Sequence, residues 1–164
     1  MLLADEAGTG KTIQTGLIIQ ELIQRRRIRR VLIVTPPALK RQWRDELSSR
    51  TGIELNDVDR RFKLNFERHG VIGSNYWNSV QCAVVSCFRL KMPDVLQEFL
   101  AACSEWGRPT LPWDLLVVDE AHHYLPGGSA TQLLKMLKTI LPWFEHRIFL
   151  TATPHNGTSG ATGS

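Results

Sequence analysis

A turn carrying Gly8 and Gly10, set between an apolar stub and an apolar-periodic run, constrains this chain more than any other stretch. It reads Leu-Leu-Ala-Asp-Glu-Ala-Gly-Thr-Gly-Lys-Thr from Leu2 to Thr12. Glycine takes positive φ without steric cost and lets the backbone close on a ligand. Several N–H groups can then converge on one anion, helped by the positive end of the helix that follows. Lys11 adds a compact positive charge suited to β/γ-phosphates, and the Thr12 hydroxyl adds a ligand for Mg2+. The general phosphate-loop pattern asks for glycine where this chain has Asp5, so it is met only in part. The residues alone leave two outcomes: a phosphate cradle, or a glycine-rich strand-to-helix turn that binds nothing.

The remainder alternates short apolar runs with helical spacing. Thr12 to Arg25 puts Ile13, Leu17, Ile18, Leu22 and Ile23 on one helical face. It runs into Arg25, Arg26, Arg27, Arg29 and Arg30, either a solvated basic end that complements the helix dipole or a face turned to nucleic acid. Val31 to Val34 is continuously apolar, the mark of a strand covered on both faces, and Thr35, Pro36 and Pro37 end it. Leu39 to Leu47 reads as a helix with Leu39, Trp43 and Leu47 on one face, which assigns Trp43 to the core. From Ser48 to Ser79 the patterns weaken: a short strand near Ile53 and Leu55, a charged weak helix from Asp59 to His69, and a loop from Gly70 to Asn78 pinned by Tyr76 and Trp77. A buried strand follows at Val80–Cys87, a helix at Val95–Cys103, a loop at Glu105–Pro112, and the most apolar strand at Leu115–Val118. Ala130–Leu141 is helical, and a last strand, Arg147–Leu150, runs into Thr151. This order predicts an α/β domain with a mostly parallel sheet flanked by helices on both faces. Ligands of such sheets bind beyond the carboxyl ends of the strands, where the notable motifs of this chain sit.

With 43% hydrophobic and 22% charged residues among 164, the chain has the composition of one ordinary globular domain. Its formal net charge of +4 permits a nucleic-acid partner without requiring one. Cys82, Cys87 and Cys103 form no Cys-x-x-Cys pair, so neither disulfides nor a zinc site is expected and a reducing cytoplasm is the expected setting. No apolar run approaches the roughly 18 residues of a membrane helix, and no membrane partner is expected. Functional sequence within the first ten residues leads us to expect a cut N-terminus.

Leu-Leu-Val-Val-Asp-Glu-Ala-His-His, residues 115–123, is the second anchor. Phosphoryl transfer needs a metal to neutralise charge on the phosphates and a group to orient the nucleophile. Asp119 suits the first task and Glu120 the second. The bland alternative, acids favoured at a helix N-terminus, explains less of a pair that follows an apolar strand downstream of a phosphate turn.

Taken together these stretches resemble the Swi/Snf-like branch of superfamily 2 helicases. Asp5 to Thr12 is similar to motif I, Val31 to Trp43 to motif Ia, Asp119-Glu120-Ala121-His122 to the Asp-Glu-Ala-His form of motif II, and Phe149 to Pro154 to motif III. Val84-Val85-Ser86 stands where the family has motif Ib. The resemblance implies a RecA-like P-loop NTPase lobe over residues 1–156 with a flexible tail at 157–164. It implies ATP and Mg2+ as ligands, duplex DNA as the nucleic-acid partner, and a second RecA-like lobe that this chain does not contain. Asp5, Glu6, Ala7, Gly8, Thr9, Gly10, Lys11, Thr12 and His122 would line the nucleotide, and Thr12 and Asp119 would hold the metal. Lys11, Asp119 and Glu120 would carry hydrolysis, while Thr151, Ala152 and Thr153 would couple it to lobe movement. Thr35, Pro36, Gln42 and Ser86 would face the DNA backbone; for Thr35 a turn hydroxyl capping the next helix is the local alternative. His123 is expected to have no role of its own.

The chain also departs from the family. Thr9 stands where the branch usually has Leu, and from the resemblance the first strand is expected to be reduced to Leu2-Leu3 and the upstream nucleotide-recognition segment to be missing. Without a second lobe there is no arginine finger, worth on the order of 10³–10⁵ in rate. The expected function is therefore an ATP-binding motor lobe, inactive or slow in isolation. A non-catalytic nucleotide- or DNA-binding remnant and an RNA-directed lobe are the alternatives.

Overall fold

The computed structural model describes residues 2–5, 10–105, 111–124 and 130–152. Six strands form one sheet: β1 (Leu2–Asp5), β2 (Val31–Thr35), β3 (Asn56–Asp57), β4 (Cys82–Ser86), β5 (Trp113–Val118) and β6 (Phe144–Ala152). They lie in the order β1-β6-β5-β2-β4-β3, and every neighbouring pair is parallel. The helices are α1 (Gly10–Gln24), α2 (Lys40–Thr51), α3 (Arg60–His69), the one-turn α4 (Cys87–Leu90), α5 (Pro93–Ser104) and α6 (Ala130–Ile140). The α/β class and parallel sheet expected from the sequence are the ones observed.

Period-two alternation explains the two covered faces. Val31, Ile33, Val84, Leu115 and Val117 point to one side, where Ile19 of α1 and Trp43 and Leu47 of α2 cover them. Leu32, Val34, Ala83, Val85, Leu116 and Val118 point to the other, against Phe99 of α5 and Met136 and Ile140 of α6. Helices α1 and α2 approach closely at Gly16, where an added Cβ would stand 3.3 Å from the Leu47 Cδ1. Helix α2 ends at Gly52, whose φ of 70° makes a left-handed cap that donates to the Ser48 carbonyl. Helix α3 begins at Asp59, whose carboxylate accepts the Phe62 N–H at 2.8 Å, so the weak charged helix is real and properly capped.

Some boundaries moved. Strand β6 starts at Phe144, three residues before the expected Arg147, and the short third strand is Asn56–Asp57 rather than Ile53–Leu55. The arginine run also divides. Arg25, Arg26, Arg27 and Arg29 are exposed, whereas Arg30 is buried over the Trp113 ring at 3.9 Å from its centroid. Its guanidinium donates to the carbonyls of Trp77 (2.6 Å), Pro112 (2.9 Å) and Val80 (3.2 Å). Arg30 thus ties the Tyr76–Trp77 segment to the start of β5, and buried Tyr76 and Trp77 pin their loop as expected. The three cysteines are free. Among the described residues no helix is long and apolar enough to cross a membrane. The expected tail at 157–164 lies outside the described residues.

Candidate functional site

Because every pairing is parallel, all carboxyl ends emerge on one rim. Leu2 of β1 pairs with Phe149 of β6, which pairs with Val118 of β5. The exits of β1 and β5 therefore flank that of β6, about 10 Å apart at two strand spacings. Helix α1 starts from this rim, with Lys11 and Thr12 in its first turn and only 7% and 8% exposed. Among the described residues the Lys11 ammonium has no ion-pair partner. Of the other residues expected at the phosphates, Glu6, Ala7, Gly8 and Thr9 lie outside the described residues; Gly10 opens α1, and Asp5 ends β1 opposite Ala152.

Asp119 follows the last residue of β5, and its N–H donates to the Val34 carbonyl at 2.8 Å. Its side chain is held from three directions. Oδ2 accepts the Trp43 indole N–H at 2.8 Å and the Thr35 hydroxyl at 3.0 Å, and Oδ1 accepts the Glu120 N–H at 2.9 Å. A carboxylate has about four acceptor positions, so about one remains, on Oδ1. Glu120 is different. Its φ of 52° lies in the left-handed region, which is strained for a residue with Cβ. Its Oε2 lies 3.2 Å from the His122 Nδ1, and that nitrogen is 3.4 Å from the Thr151 hydroxyl on β6. The His122 ring thus lies between Glu120 and Thr151 of the neighbouring strand β6; Thr153 lies outside the described residues. The turn Ala121–Tyr124 that carries His122 is closed by the His123 N–H donating to the Glu120 carbonyl at 3.0 Å. The His123 ring lies tilted against His122 with centroids 4.2 Å apart, and Glu120, His122 and His123 each bring a ligating atom within 4.8 Å of the others.

Of the residues expected to face DNA, Thr35 and Ser86 are turned inward. Thr35 is fully buried and its hydroxyl donates to Asp119. Ser86 is 7% exposed and caps α4, accepting the Arg89 N–H at 3.0 Å. Both hydroxyls face inward because they end central strands, where a polar group without a partner would be costly. Gln42 is half-buried and donates to Glu46 at 3.0 Å, and Pro36 is half-exposed. Trp43 is core, as expected, but its indole N–H also reaches the Asp119 carboxylate. One signal for that contact was available: a buried indole N–H needs an acceptor.

A family model described as the SNF2-related domain matches residues 1–159. The chain belongs to that family. RNA polymerase-associated protein RapA of Stutzerimonas stutzeri (strain A1501) is 37% identical over 160 residues, which are 94% of this chain and 15% of that protein. RapA of Pseudomonas aeruginosa (strain LESB58) is 37% identical over 158 residues, with the same shares. The chain thus spans 15% of the length of these curated relatives. Among solved structures, the Sulfolobus solfataricus SWI2/SNF2 ATPase core in complex with dsDNA superposes with a TM-score of 0.67 at 20% identity, covering 94% of this chain and 28% of that one. The UvsW helicase from bacteriophage T4 gives 0.53 at 14% identity, covering 97% and 48%. At these identities the likeness is one of fold, and the fold is that of a RecA-like helicase lobe.

The residues present suit a nucleotide with its metal. A buried ammonium is costly without an anion, and Lys11 has none among the described residues. Asp119 keeps one acceptor position directed by three fixed donors, and Thr12 offers a hydroxyl.

Proposed function

We propose that this chain is the ATP-binding motor lobe of a Swi/Snf-like ATP-dependent DNA translocase or helicase, with ATP and Mg2+ as its ligands. The observation that carries this reading is the buried Lys11 ammonium on the same rim as the Asp119–Glu120 pair, two strands away. When bound, Mg2+ would neutralise charge on the β/γ-oxygens as the terminal phosphoryl group departs. Lys11 and the glycine turn with Asp5, Glu6, Ala7, Thr9 and Gly10 cradle the phosphates, and Thr12 and Asp119 hold the metal. Glu120 orients the attacking water and accepts its proton. His122, with Thr151, Ala152 and Thr153, relays the state of Glu120 to β6 and onward to a second lobe, which supplies the arginine finger. Pro36, after β2, and Gln42, in the first turn of α2, remain as contacts to the DNA backbone; Thr35 and Ser86 support them from inside.

Three measurements test this. Calorimetric titration should show ATP binding by the chain that Mg2+ strengthens and that is lost in Lys11→Ala; binding that ignores Lys11 overturns the phosphate assignment. Glu120→Gln in a protein carrying both lobes should retain ATP and lose turnover. Competition among duplex DNA, single strands and RNA over a range of salt identifies the nucleic acid, with the duplex expected to compete best.

A further inference from the structure

Asp119 Oδ2 accepts two hydrogen bonds from residues that lie 84 and 76 positions earlier in the chain. The two donors, Thr35 and Trp43, bracket one short segment. Thr35 is the last residue of β2, Pro37–Leu39 form a single 3-10 turn, and Trp43 lies in the first turn of α2, which starts at Lys40. Both donors are closed off from water, Thr35 at 0% and Trp43 at 1% exposure, so neither bond has water as an easy substitute. We propose that Thr35 and Trp43 are positioning residues for Asp119, which make segment 36–42 and the orientation of the metal-holding carboxylate a single mechanical unit. This rests on the ATP·Mg2+ reading of the site.

The physical reasons are three. With both positions of Oδ2 engaged and Oδ1 engaged by the Glu120 N–H, the carboxylate can present only one remaining position, in one direction. A ligand held through a single lone pair tolerates little rotation, so the donors determine whether a metal or its water is met squarely. Next, the segment is tied at both ends to one oxygen. Displacing the segment as a body relative to β5 must lengthen at least one of the two bonds. Finally, linkage is reciprocal: if moving the segment weakens metal binding, metal binding must resist movement of the segment by the same factor. This connection is separate from the Glu120–His122–Thr151 contacts, which leave the site on the side of β6 rather than β2.

The test uses the chain with a fluorescent ATP analogue, titrated in EDTA and then at rising Mg2+, together with ¹⁵N spectra of the tryptophan indole groups. Trp43→Phe keeps an aromatic ring and removes the donor; Thr35→Val removes the hydroxyl, and Thr35→Ser restores it. The expected result is unchanged metal-free affinity in all three, with about 10–100-fold more Mg2+ needed in Trp43→Phe and Thr35→Val, the range typical of groups that orient metal ligands. Thr35→Ser should return to the wild-type requirement. The Trp43 indole resonance should move when Mg2+ is added to the nucleotide complex, and it should move in Asp119→Asn. Unaltered Mg2+ dependence in both donor-removing variants, or an indole resonance indifferent to Mg2+ and to Asp119→Asn, overturns the inference while leaving the ATP reading intact. Equal loss of metal-free and metal-dependent binding assigns the pair to folding only and overturns it as well. A wild-type chain that binds no nucleotide under either condition overturns the ATP reading, and this inference with it.

Discussion

Two consecutive carboxylates at the tip of β5 live in opposite surroundings. Asp119 is buried, continues the ladder through its N–H to Val34, and accepts three side-chain or local hydrogen bonds. Glu120 is half-buried, sits at a φ of 52°, and is met by one exposed imidazole. The sheet core determines where Asp119 is, whereas the turn after the strand determines where Glu120 is. The contrast teaches that adjacent residues of one motif can be rigid and adjustable in turn. On the proposed function, Asp119 would profit from a fixed direction as a metal ligand, and Glu120 from an alternative position as the group that orients water.

The largest effect expected from this contrast is on folding. Asp119→Ala leaves the Trp43 and Thr35 donors buried without acceptors and should destabilise the chain by about 2–5 kcal/mol in urea unfolding. Glu120→Ala should cost far less, and equal losses would erase the distinction.

Alkaline pH attacks the far end of the turn rather than the strand tip. Burial holds the Tyr124 hydroxyl and the adjacent Cys87 thiol above their ordinary values of 10.0 and 9.0, and it pushes Cys103, behind β5, up to about 12. A folded pKa raised above the unfolded one gives stability that is complete below the unfolded value and lost as pH rises. Urea midpoints should therefore hold up to about pH 9 and fall progressively towards pH 12. Tyr124→Phe should flatten part of that fall; a midpoint independent of pH over this window contradicts the burial described.

A smaller effect isolates backbone strain. Glu120→Gly should be more stable than Glu120→Ala by about 1 kcal/mol, because glycine alone takes the left-handed region freely. Thermal unfolding of the pair decides it, and the reverse order would mean the strain is absent in solution. Least affected should be His122→Ala, within about 0.5 kcal/mol of the parent, since the residue is exposed. In a protein with both lobes, that change should nonetheless alter how ATP turnover responds to DNA.

Much of the fold was legible because the parallel strands announce themselves. Val31–Val34 and Leu115–Val118 are apolar at every position, as strands covered on both faces must be. Where β6 was cut short, the reason is local. Its first residues pair with β5 but not with β1, whose register begins at Phe149, so Glu145, His146 and Arg147 are exposed and break the apolar pattern. Helix α4 has a single turn, too short to show a period. Arg30 was hidden among exposed arginines; nothing in its neighbours says that one of five turns inward to cap three carbonyls. The acidic pair and the glycine-bearing stretch were visible as motifs; the approach of His122 to Thr151 was not, because it crosses from the turn after β5 to β6. Thr35 and Ser86 were expected to face DNA only through the resemblance, and the direction of a side chain at a strand end depends on what fills the space beneath it.

By itself the sequence determined the alternation of two-sided strands with amphipathic helices, the parallel sheet, and the acidic pair at the end of the most apolar strand. These follow from patterns within a few residues, which local backbone geometry reads directly. Only the tertiary structure decided that β2 lies beside β5, and hence that Thr35 and Trp43 close on Asp119 across 84 and 76 positions of chain. Strand order is a property of the whole packed sheet, and buried donors find their acceptors only after it is settled.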